Sequence, residues 1–420
     1  MHASALVFLV PFGLGLTTAA PHELACKDCP STVPLALKML DSIISREQGV
    51  VADPSVKTSV IEGGLLLFGI SETLDNMVLN QESKSKYESY LDLVMSGLIQ
   101  VLKNVTADVT NPLDEFSVGT EFIKQYRKTG NQSLLSTIQT LHQTDLLRKR
   151  QSDGSYWYYV YPNVTTQDGL FSIPSFHSAY AREFDKNNSL AAYQTSALQF
   201  SNIVDRCLSH STRGLLYHGY DPTHSYPIWG NLTSRGHSQR IWGRAVGWTC
   251  MGLLITLDEI PDVPETGAIR KQLRGIFVRL MNAIVHAQDV SSGAWWQVMD
   301  SPGRPGNFLE SSATGLFAYA LLRGLRLGYL GTAESRKDAV AEFGAEQYRQ
   351  GAERAYDWLL NNAVLDLEDG TLGYNLTVDV CSINSTTAFD FYAKQPLKPQ
   401  SLLGEVGFLL TDLERQLAKK

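Results

Sequence analysis

Cysteine is scarce in this chain, which has only five cysteines in 420 residues. So few cannot build a disulfide scaffold, and an odd count leaves at least one thiol unpaired within a single chain. Cys26 and Cys29 form a lone CxxC, with no second CxxC and no strand–helix–strand context. Zinc binding and thioredoxin-like chemistry are therefore not expected. We expect a local disulfide or one that pins the N-terminal tail, with the connectivity left open.

An excess of positive charge is also missing. Lysine and arginine together number 36 against 43 aspartates and glutamates, and the formal net charge is −7. This balance argues against a general nucleic-acid or anionic-membrane binder, although it does not exclude a small anionic substrate, for which the local field decides. Histidines and cysteines form no cluster with the spacing of metal ligands, so we expect no metal and no other cofactor.

The N-terminal apolar run "ALVFLVPFGLGL" is too short to span a bilayer comfortably. The small residues "TTAA" follow it and offer a cleavage point near Ala20, which predicts a secretory signal peptide over residues 1–20. A membrane anchor is the alternative. Seven glycosylation sequons agree with a secreted, extracellular protein; they begin at Asn104, Asn131, Asn163, Asn187, Asn231, Asn375 and Asn384.

Strict alternation of apolar and polar residues, the mark of β-strands, is rare, whereas helical spacing recurs along the whole chain. The spacing predicts twelve helices, near residues 34–48, 58–77, 84–103, 116–128, 132–149, 168–185, 189–208, 242–259, 265–288, 311–330, 335–361 and 402–418. Pro174 should bend the sixth helix or end its regular first turns.

These helices are of two kinds. Some, such as "SRKDAVAEFGAEQYRQGAERAYDWLL", carry a charged face and belong on an outer layer. Others, such as "GRAVGWTCMGLLITL", are apolar nearly all round and rich in small residues, which is typical of enclosed helices. The enclosed kind recurs at even positions, which predicts an all-α, double-layered (α/α)6 barrel over residues 21–420 as a single domain. A helical solenoid is the alternative, but we find no sequence repeat.

Polar and aromatic residues collect where the inner helices begin. In such a barrel these N-termini share one end. The residues that open the inner helices are Asp114, Glu115, Asp168, Trp242, Arg244 and Glu310, and two long loops add His218, Trp229, Trp295 and Trp296.

This cluster suits an acidic sugar. Helix N-termini favour anions, an arginine such as Arg244 can hold a carboxylate in a bidentate fork, and tryptophans offer flat apolar faces to sugar rings. Each residue also has a structural explanation. Asp168 and Asp114 are good helix caps, and Glu310 is expected to cap the tenth helix or to pair with its dipole.

Four motifs, in order, give the chain a family resemblance. They are "YPNVTTQDGLFSIPSFHSAYA", "HGYD", "WGRAVGW" and "GAWWQVMDSPGRPGNFLESS", followed by "FAYALLRGLRLGYL" and a C-terminal "GEVGFLL". With these motifs the chain resembles family 105 of the glycoside hydrolases, the unsaturated rhamnogalacturonyl hydrolases, and their relatives in family 88, the unsaturated glucuronyl hydrolases. The family fold is an (α/α)6 barrel.

The resemblance implies roles for individual residues. Asp168 would be the catalytic acid and base, and Asp114 a supporting carboxylate. His218, Trp242, Arg244 and, less directly, Trp296 would bind substrate. Two positions depart from the family pattern: Thr166 replaces a tryptophan, and Tyr158 replaces a histidine.

The implied substrate is the 4,5-unsaturated uronic acid, here galacturonyl, that a lyase leaves at the non-reducing end of rhamnogalacturonan or pectin oligosaccharides. Asp168, protonated, would donate to C4 and then activate the water that adds at C5. Two alternatives remain. One is a conventional inverting glycosidase on saturated cell-wall glycans, which needs paired carboxylates. The other is a non-catalytic carbohydrate-binding barrel. The oligomeric state is open.

Overall fold

The computed structural model describes residues 33–50, 59–159, 163–333, 335–336 and 341–419. Within them, the chain from Pro34 onward forms one compact unit. The predicted signal peptide over residues 1–20 lies outside the described residues, as do Cys26 and Cys29. The thiols of Cys207, Cys250 and Cys381 are buried and free.

Helices dominate the described residues. The α-helices are α1 (Leu35–Ser45), α2 (Ser59–Asn76), α3 (Gln81–Val101), α4 (Val105–Asp108), α5 (Gly119–Thr129), α6 (Gln132–Leu147), α7 (Gly169–Phe184), α8 (Ser189–Cys207), α9 (Gly243–Glu259), α10 (Gly267–His286), α11 (Ser311–Arg326), α12 (Ala345–Asn362), α13 (Phe389–Ala393) and α14 (Leu402–Leu417). Two 3-10 helices span Leu113–Val118 and Pro264–Thr266. None of the described helices is long and apolar enough to cross a membrane.

Six helices form a closed inner ring. In order around the ring they are α2, α5, α7, α9, α11 and α14, and α14 packs back onto α2. An outer helix lies against each of them: α3 on α2, α6 on α5, α8 on α7, α10 on α9, α12 on α11 and α1 on α14. The predicted (α/α)6 double-layered barrel is confirmed, and the inner helices are those at even positions of the prediction.

Burial along the helices shows why the layers sort in this way. In the inner helix α9, every residue from Gly243 to Leu257 is buried. In the outer helix α12, the buried residues recur at helical spacing on one face, beginning with Tyr348, Gly351 and Ala352. A helix that is apolar on all sides needs neighbours on all sides, and the barrel interior provides them.

The inner helices α7 and α9 approach each other very closely. Pro174 lies inside α7, which continues across it, so the helix does not end there. Proline has no N–H and cannot bond the carbonyl of Leu170, four residues earlier. On α9, a Cβ at Gly252 would lie only 1.9 Å from that same carbonyl oxygen. Only glycine fits at this crossing, because any side chain would collide with the backbone of α7.

The end of the barrel opposite the inner-helix N-termini is closed by buried charge. Arg323 of α11 donates to Glu72 of α2, and its guanidinium lies 2.6 Å from a carboxylate oxygen of Asp258 and 3.5 Å from one of Glu414. The Arg323 side chain is only 8% exposed. One cation therefore joins four inner helices.

The structure departs from the sequence-based prediction at the start of α12 and in the segment that follows this helix. The helix predicted over 335–361 is interrupted: residues 335 and 336 are helical, 341–344 are not, and α12 begins at Ala345, so the prediction was wrong over 341–344. Gly344 is extended there, and its N–H donates to the Gln347 side chain at 2.7 Å, which starts the helix. Between α12 and α14, where no element was predicted, the chain forms the antiparallel strands β3 (Val364–Asp366) and β4 (Leu372–Tyr374) and then α13.

Candidate active site

A short β-ladder sets the position of the central carboxylate. Strand β1 (Thr165–Thr166) pairs antiparallel with β2 (Gly219–Tyr220), and the N–H of Gln167 donates to the carbonyl of His218 at 3.0 Å. A Cβ at Gly219 would lie 2.4 Å from the carbonyl oxygen of Thr165, so the strands meet this closely only at a glycine. The ladder therefore holds Gln167, which follows β1, beside His218, which precedes β2.

Asp168, the next residue after Gln167, contacts His218. Asp168 stands at the N-cap position of α7, yet its side chain makes no capping hydrogen bond. Instead its Oδ2 lies 2.7 Å from Nε2 of His218. The Asp168 side chain is 12% exposed and that of His218 only 1%. The Asp168 carboxylate therefore does not cap the helix, and it is more exposed to solvent than the His218 side chain.

The other face of His218 is enclosed by residues from distant parts of the chain. Its Nδ1 lies 2.7 Å from the hydroxyl of Tyr392 on α13, and its ring centroid lies 4.9 Å from that of Trp242. The Trp242 indole donates to Gln297 Oε1 at 3.1 Å. Sequence reasoning missed Tyr392 and Gln297. The aromatic run "FDFYA" was the available signal for Tyr392, and the sequence places no predicted helix there.

Gln167 fixes the backbone beneath this pair, and sequence reasoning missed it too. Its side-chain amide donates to the carbonyls of Leu216 and Tyr217, both at 3.0 Å. Its carbonyl oxygen accepts from the Thr249 hydroxyl at 2.7 Å. Because Gln167 is fully buried and hydrogen-bonded in this way, the turn that carries Asp168 is tied to both the His218 strand and α9.

A second carboxylate, Asp114, lies nearby in the 3-10 helix that precedes α5. Its Oδ1 accepts a hydrogen bond of 2.5 Å from the hydroxyl of Tyr158. Burial raises the pKa of Asp114 to about 7, and the charge of Asp168 also acts to raise it. The Tyr158 hydrogen bond and the charge of Arg148 act in the opposite direction. The departure at residue 158 thus places a neutral donor on Asp114.

Glu115, although adjacent in sequence, faces a different partner. Its carboxylate accepts from Arg148 in a buried ion pair, and both side chains are almost fully buried. Burial raises the pKa of Glu115 to about 7 against the opposing charge of Arg148. Asp114 and Glu115 therefore do not form one pair of carboxylates.

Arg244 and Glu310 brace the wall beside Trp242. The Arg244 guanidinium lies 4.7 Å from the Trp242 ring and donates to the carbonyls of Val378 and Asp379, each at 2.7 Å. Glu310 caps α11 by accepting from the N–H of Ala313 at 2.7 Å, as predicted. Arg244 also donates to the Ser312 hydroxyl at 3.2 Å and lies 3.8 Å from a carboxylate oxygen of Glu310. These partners all belong to the protein, and a grip on a substrate carboxylate stays a prediction.

The four predicted tryptophans have different surroundings. Trp242 lies against His218. Trp229 and Trp295 are buried and donate to the carbonyls of Ile383 and Ile284, so they serve packing. Trp296 pairs through its backbone with Leu309, and substrate binding by its ring also stays a prediction.

Comparison with known proteins identifies the family to which this barrel belongs. The model of Glycosyl Hydrolase Family 88 matches residues 64–418. The chain belongs to this family. It is a glycoside hydrolase, and the resemblance stated from the motifs is confirmed.

Several relatives of this family 88 chain are similar over long stretches. Protein Atu3128 of Agrobacterium fabrum is 37% identical over 198 residues, which cover 44% of this chain and 81% of that protein. A family 105 glycoside hydrolase from C. acetobutylicum is 27% identical with a TM-score of 0.76, covering 92% of this chain and all (100%) of that one. The unsaturated glucuronyl hydrolase of Bacillus sp. GL1 shares the fold alone, with a TM-score of 0.61 at 11% identity over 91% of this chain and 94% of that one.

An aromatic cavity adjoins the acids of this hydrolase. Along residues 156–159, Tyr156 and Tyr158 point inward and are buried, whereas Trp157 and Tyr159 line a cavity of about 260 Å³. Lys149 stands over the Trp157 ring with its Nζ 5.2 Å from the centroid. Tyr159 packs edge-on against Tyr158, with centroids 4.6 Å apart, so the cavity begins one side chain away from Asp114.

The described residues offer no gathered set of three or more His, Cys, Asp or Glu side chains that could hold a metal ion. The arrangement instead provides a carboxyl group next to a histidine, a second carboxyl group with a raised pKa, and an aromatic wall. Such a set can move a proton to and from a sugar.

Proposed function

We propose that this hydrolase removes a 4,5-unsaturated uronic acid from the non-reducing end of oligosaccharides that a lyase has released from rhamnogalacturonan or pectin. The observation that carries the proposal is the side chain of Asp168, which leaves its helix uncapped and bonds His218 instead. A cap would have explained this aspartate without any chemistry. The family of the chain and the name of the Bacillus unsaturated glucuronyl hydrolase support an unsaturated uronide as the substrate class. The choice of rhamnogalacturonan or pectin rests on the motif resemblance.

The reaction requires one proton donor and one water. The substrate's C4=C5 bond is an enol ether with the ring oxygen. Protonated Asp168 gives its proton to C4, and the ring oxygen stabilises the cation that forms at C5. The Asp168 carboxylate then takes a proton from water as that water bonds to C5. The resulting hemiketal opens, the aglycone leaves with its oxygen, and Asp168 ends protonated as it began.

Asp114 would assist as a neutral neighbour. With its pKa at about 7, this carboxyl is protonated for much of the time in mildly acidic solution. A neutral Asp114 adds no negative charge beside Asp168, and it can donate a hydrogen bond to the substrate. We therefore expect activity to be favoured on the acidic side of neutrality.

The remainder of the substrate would extend into the cavity formed by Trp157 and Tyr159. Its walls are mostly apolar and aromatic, and aromatic faces suit the C–H faces of sugars. The Lys149 ammonium at the rim would favour an acidic or hydroxyl-rich residue. Since Thr166 stands where the family pattern has a tryptophan, Trp157 would supply an aromatic surface from a neighbouring position.

Secretion is part of the proposal. The predicted signal peptide supports it, and so does the exposure of the sequon asparagines Asn104, Asn131, Asn187, Asn231 and Asn384. Sequencing the N-terminus of protein recovered from the medium, with and without enzymatic removal of N-glycans, tests both points. A product that keeps residues 1–20 and carries no glycan would contradict them.

The activity is tested by following the ultraviolet absorbance of the conjugated double bond. Oligosaccharides made by a rhamnogalacturonan lyase are mixed with wild type, with Asp168→Asn, and with Asp412→Asn as a matched control. Asp412 is also a buried aspartate, but it bonds Tyr356 and the N–H of Ala36 near the far end of α14. We expect wild type and Asp412→Asn to bleach the absorbance and Asp168→Asn to be slower by ~10²–10⁴-fold.

Three outcomes would oppose the proposal. Equal bleaching by Asp168→Asn would remove Asp168 from the chemistry. Hydrolysis of saturated oligosaccharides alone would favour a conventional two-carboxylate glycosidase. Binding without turnover of either substrate would favour a non-catalytic barrel.

A further inference from the structure

A buried hydrogen-bonded chain runs through the candidate active site. It links Asp168 Oδ2 to His218 Nε2 and His218 Nδ1 to the Tyr392 hydroxyl, and both distances are 2.7 Å. The three residues come from the N-cap position of α7, from the residue before β2 and from α13, so no local sequence constraint brings them together. The proposed function uses only the first of them.

The Tyr392 hydroxyl has one partner. Among the described residues, His218 Nδ1 is the only group that the structure places within hydrogen-bonding distance of it. The Tyr392 ring is held by Trp242, with centroids 6.2 Å apart, and its backbone carbonyl accepts from the Gln297 amide at 3.3 Å. Because ring and backbone are both fixed, the hydroxyl is directed at the imidazole.

We propose that Tyr392 is a positioning residue that selects which oxygen of Asp168 carries the catalytic proton. The proposal rests on the proposed function, in which Asp168 is the acid. It assigns a task to a residue outside the four sequence motifs, in a segment where no element was predicted.

The selection follows from the donors and acceptors of a neutral imidazole, which has one of each. Tyr392, with its O–H as the only proton it can offer, donates to Nδ1. The single imidazole proton then sits on Nε2 and points at Oδ2 of Asp168. Oδ2 is thereby occupied as an acceptor, and the acid proton of Asp168 must reside on Oδ1.

Oδ1 is the oxygen available to a substrate. The described residues make no hydrogen bond to it, and the Asp168 side chain is the more exposed member of the pair. In the opposite tautomer, Nδ1–H would donate to the Tyr392 oxygen, and the Nε2 lone pair would draw the acid proton onto Oδ2. That proton would lie between Asp168 and His218 and would not reach C4.

Tyr392 suits this task because it remains a neutral donor. Burial raises the pKa of Tyr392 well above its ordinary value, with Cys381 and Asp168 acting in the same direction. A charged carboxylate at this position would instead favour imidazolium, which would compete with Asp168 for the proton. The tyrosine sets the tautomer without adding charge.

Several ionisable groups surround this hydrogen-bonded chain, and they remain in place when the Tyr392 hydroxyl is removed. Those that act on Tyr392 or Asp168 from the packed elements are Asp300, Cys381, Asp114, Tyr158 and Tyr159, and Arg244 lies against the Trp242 ring. A change seen on replacing Tyr392 by phenylalanine therefore reports on the hydroxyl alone. The phenylalanine ring keeps the contact with Trp242.

The first test is made on the wild-type protein without substrate, and a variant serves only to assign the signal. Protein labelled with ¹⁵N-histidine is examined by NMR, and the signal of His218 among the nine histidines is assigned by its loss in His218→Gln. We expect Nε2 to carry the proton and Nδ1 to show the shift of an unprotonated acceptor. A wild-type His218 protonated at Nδ1 and not at Nε2 would overturn the proposal.

The second test compares Tyr392→Phe with Tyr356→Phe. Tyr356 also loses a buried hydroxyl, one that donates to Asp412 at 2.6 Å on another part of the barrel. In Tyr392→Phe we expect mixed tautomers, kcat lower by ~10–100-fold and KM nearly unchanged, because a misplaced proton affects the chemical step and not binding. Tyr356→Phe should match wild type in all three readouts.

The pH profile separates positioning from simple loss of structure. Without the hydroxyl, Nδ1 loses the donor that favours the neutral imidazole, so protonation of this nitrogen is no longer opposed by that hydrogen bond. The alkaline limb of the kcat profile should therefore move upward in Tyr392→Phe even as kcat falls. An unchanged tautomer and an unmoved limb would refute the proposal. Absence of any activity in wild type would instead refute the proposed function, while the NMR result would still stand.

Discussion

Replacing Tyr158 by phenylalanine removes the hydrogen bond to Asp114 and keeps the aromatic ring. The hydroxyl donates to Asp114 Oδ1 at 2.5 Å, and the ring packs edge-on against Tyr159 at 88°. Phenylalanine keeps that ring contact. The hydroxyl stabilises the carboxylate more than the neutral acid, since the carboxylate is the stronger acceptor. Its loss must therefore favour the protonated form of Asp114.

The size of the effect follows from the charge on the acceptor. A hydrogen bond to a charged group is worth ~1.5–3 kcal/mol, and one pKa unit corresponds to about 1.4 kcal/mol. We expect the pKa of Asp114, which is about 7 in the wild type, to rise by ~1–2 units in Tyr158→Phe. Because the site is buried, little water is available to replace the lost donor.

The titration is read by NMR of ¹³C-labelled aspartate carboxyl groups, with the Asp114 signal assigned by its loss in Asp114→Asn. Two neighbouring acids titrate as a pair, so the measurement is repeated in an Asp168→Asn background. Removing the charge of Asp168 should lower the pKa of Asp114, because that charge acts to raise it. Tyr356→Phe serves as the control. An Asp114 midpoint that is unchanged or lower in Tyr158→Phe would refute this account of the site.

Three further predictions concern the barrel and the aromatic cavity. Arg323→Met should destabilise the fold by ~3–5 kcal/mol in chemical denaturation, because it leaves buried acids unpaired, whereas Lys84→Met on the surface should change stability by less than ~0.5 kcal/mol; equal effects would contradict the network. Gly252→Ala should lower the free energy of unfolding by ~1–3 kcal/mol or more, since a methyl group would meet the backbone of α7, and a stability equal to wild type would show that this crossing can relax. Trp157→Ala should raise KM for long oligosaccharides ~10-fold but leave KM for a small unsaturated glycoside unchanged, and equal effects on both would exclude the cavity as the aglycone site.

The inner and outer layers could be predicted because each helix carries its own evidence. An apolar surface on every side, as in α9, needs neighbours on every side, and that requirement is written in local sequence. The cap of α11 by Glu310 was predictable for the same reason. The start of α12 was not predicted, because it depends on an extended Gly344 whose N–H donates to the Gln347 side chain.

The candidate site was only partly predictable, because its contacts join residues far apart in the chain. Asp168, His218 and Trp242 lie in recognisable motifs, and the structure brings them together. Tyr392 reaches His218 across 174 positions, from a helix of five residues that has no periodicity to detect. Gln167 was missed because an amide bonded to backbone carbonyls leaves no pattern in sequence.

The closure of the inner ring sets an order of events during synthesis. The ring is completed where α14 packs against α2, and α1 is joined to α14 by the hydrogen bond from the Ala36 N–H to Asp412, 376 positions away. A growing chain therefore carries α2 without its final neighbour until α14 has been made. Until then, the inner helices expose apolar surface to solvent. We therefore expect the nascent chain to depend on chaperones. We also expect the protein to tolerate C-terminal truncation poorly.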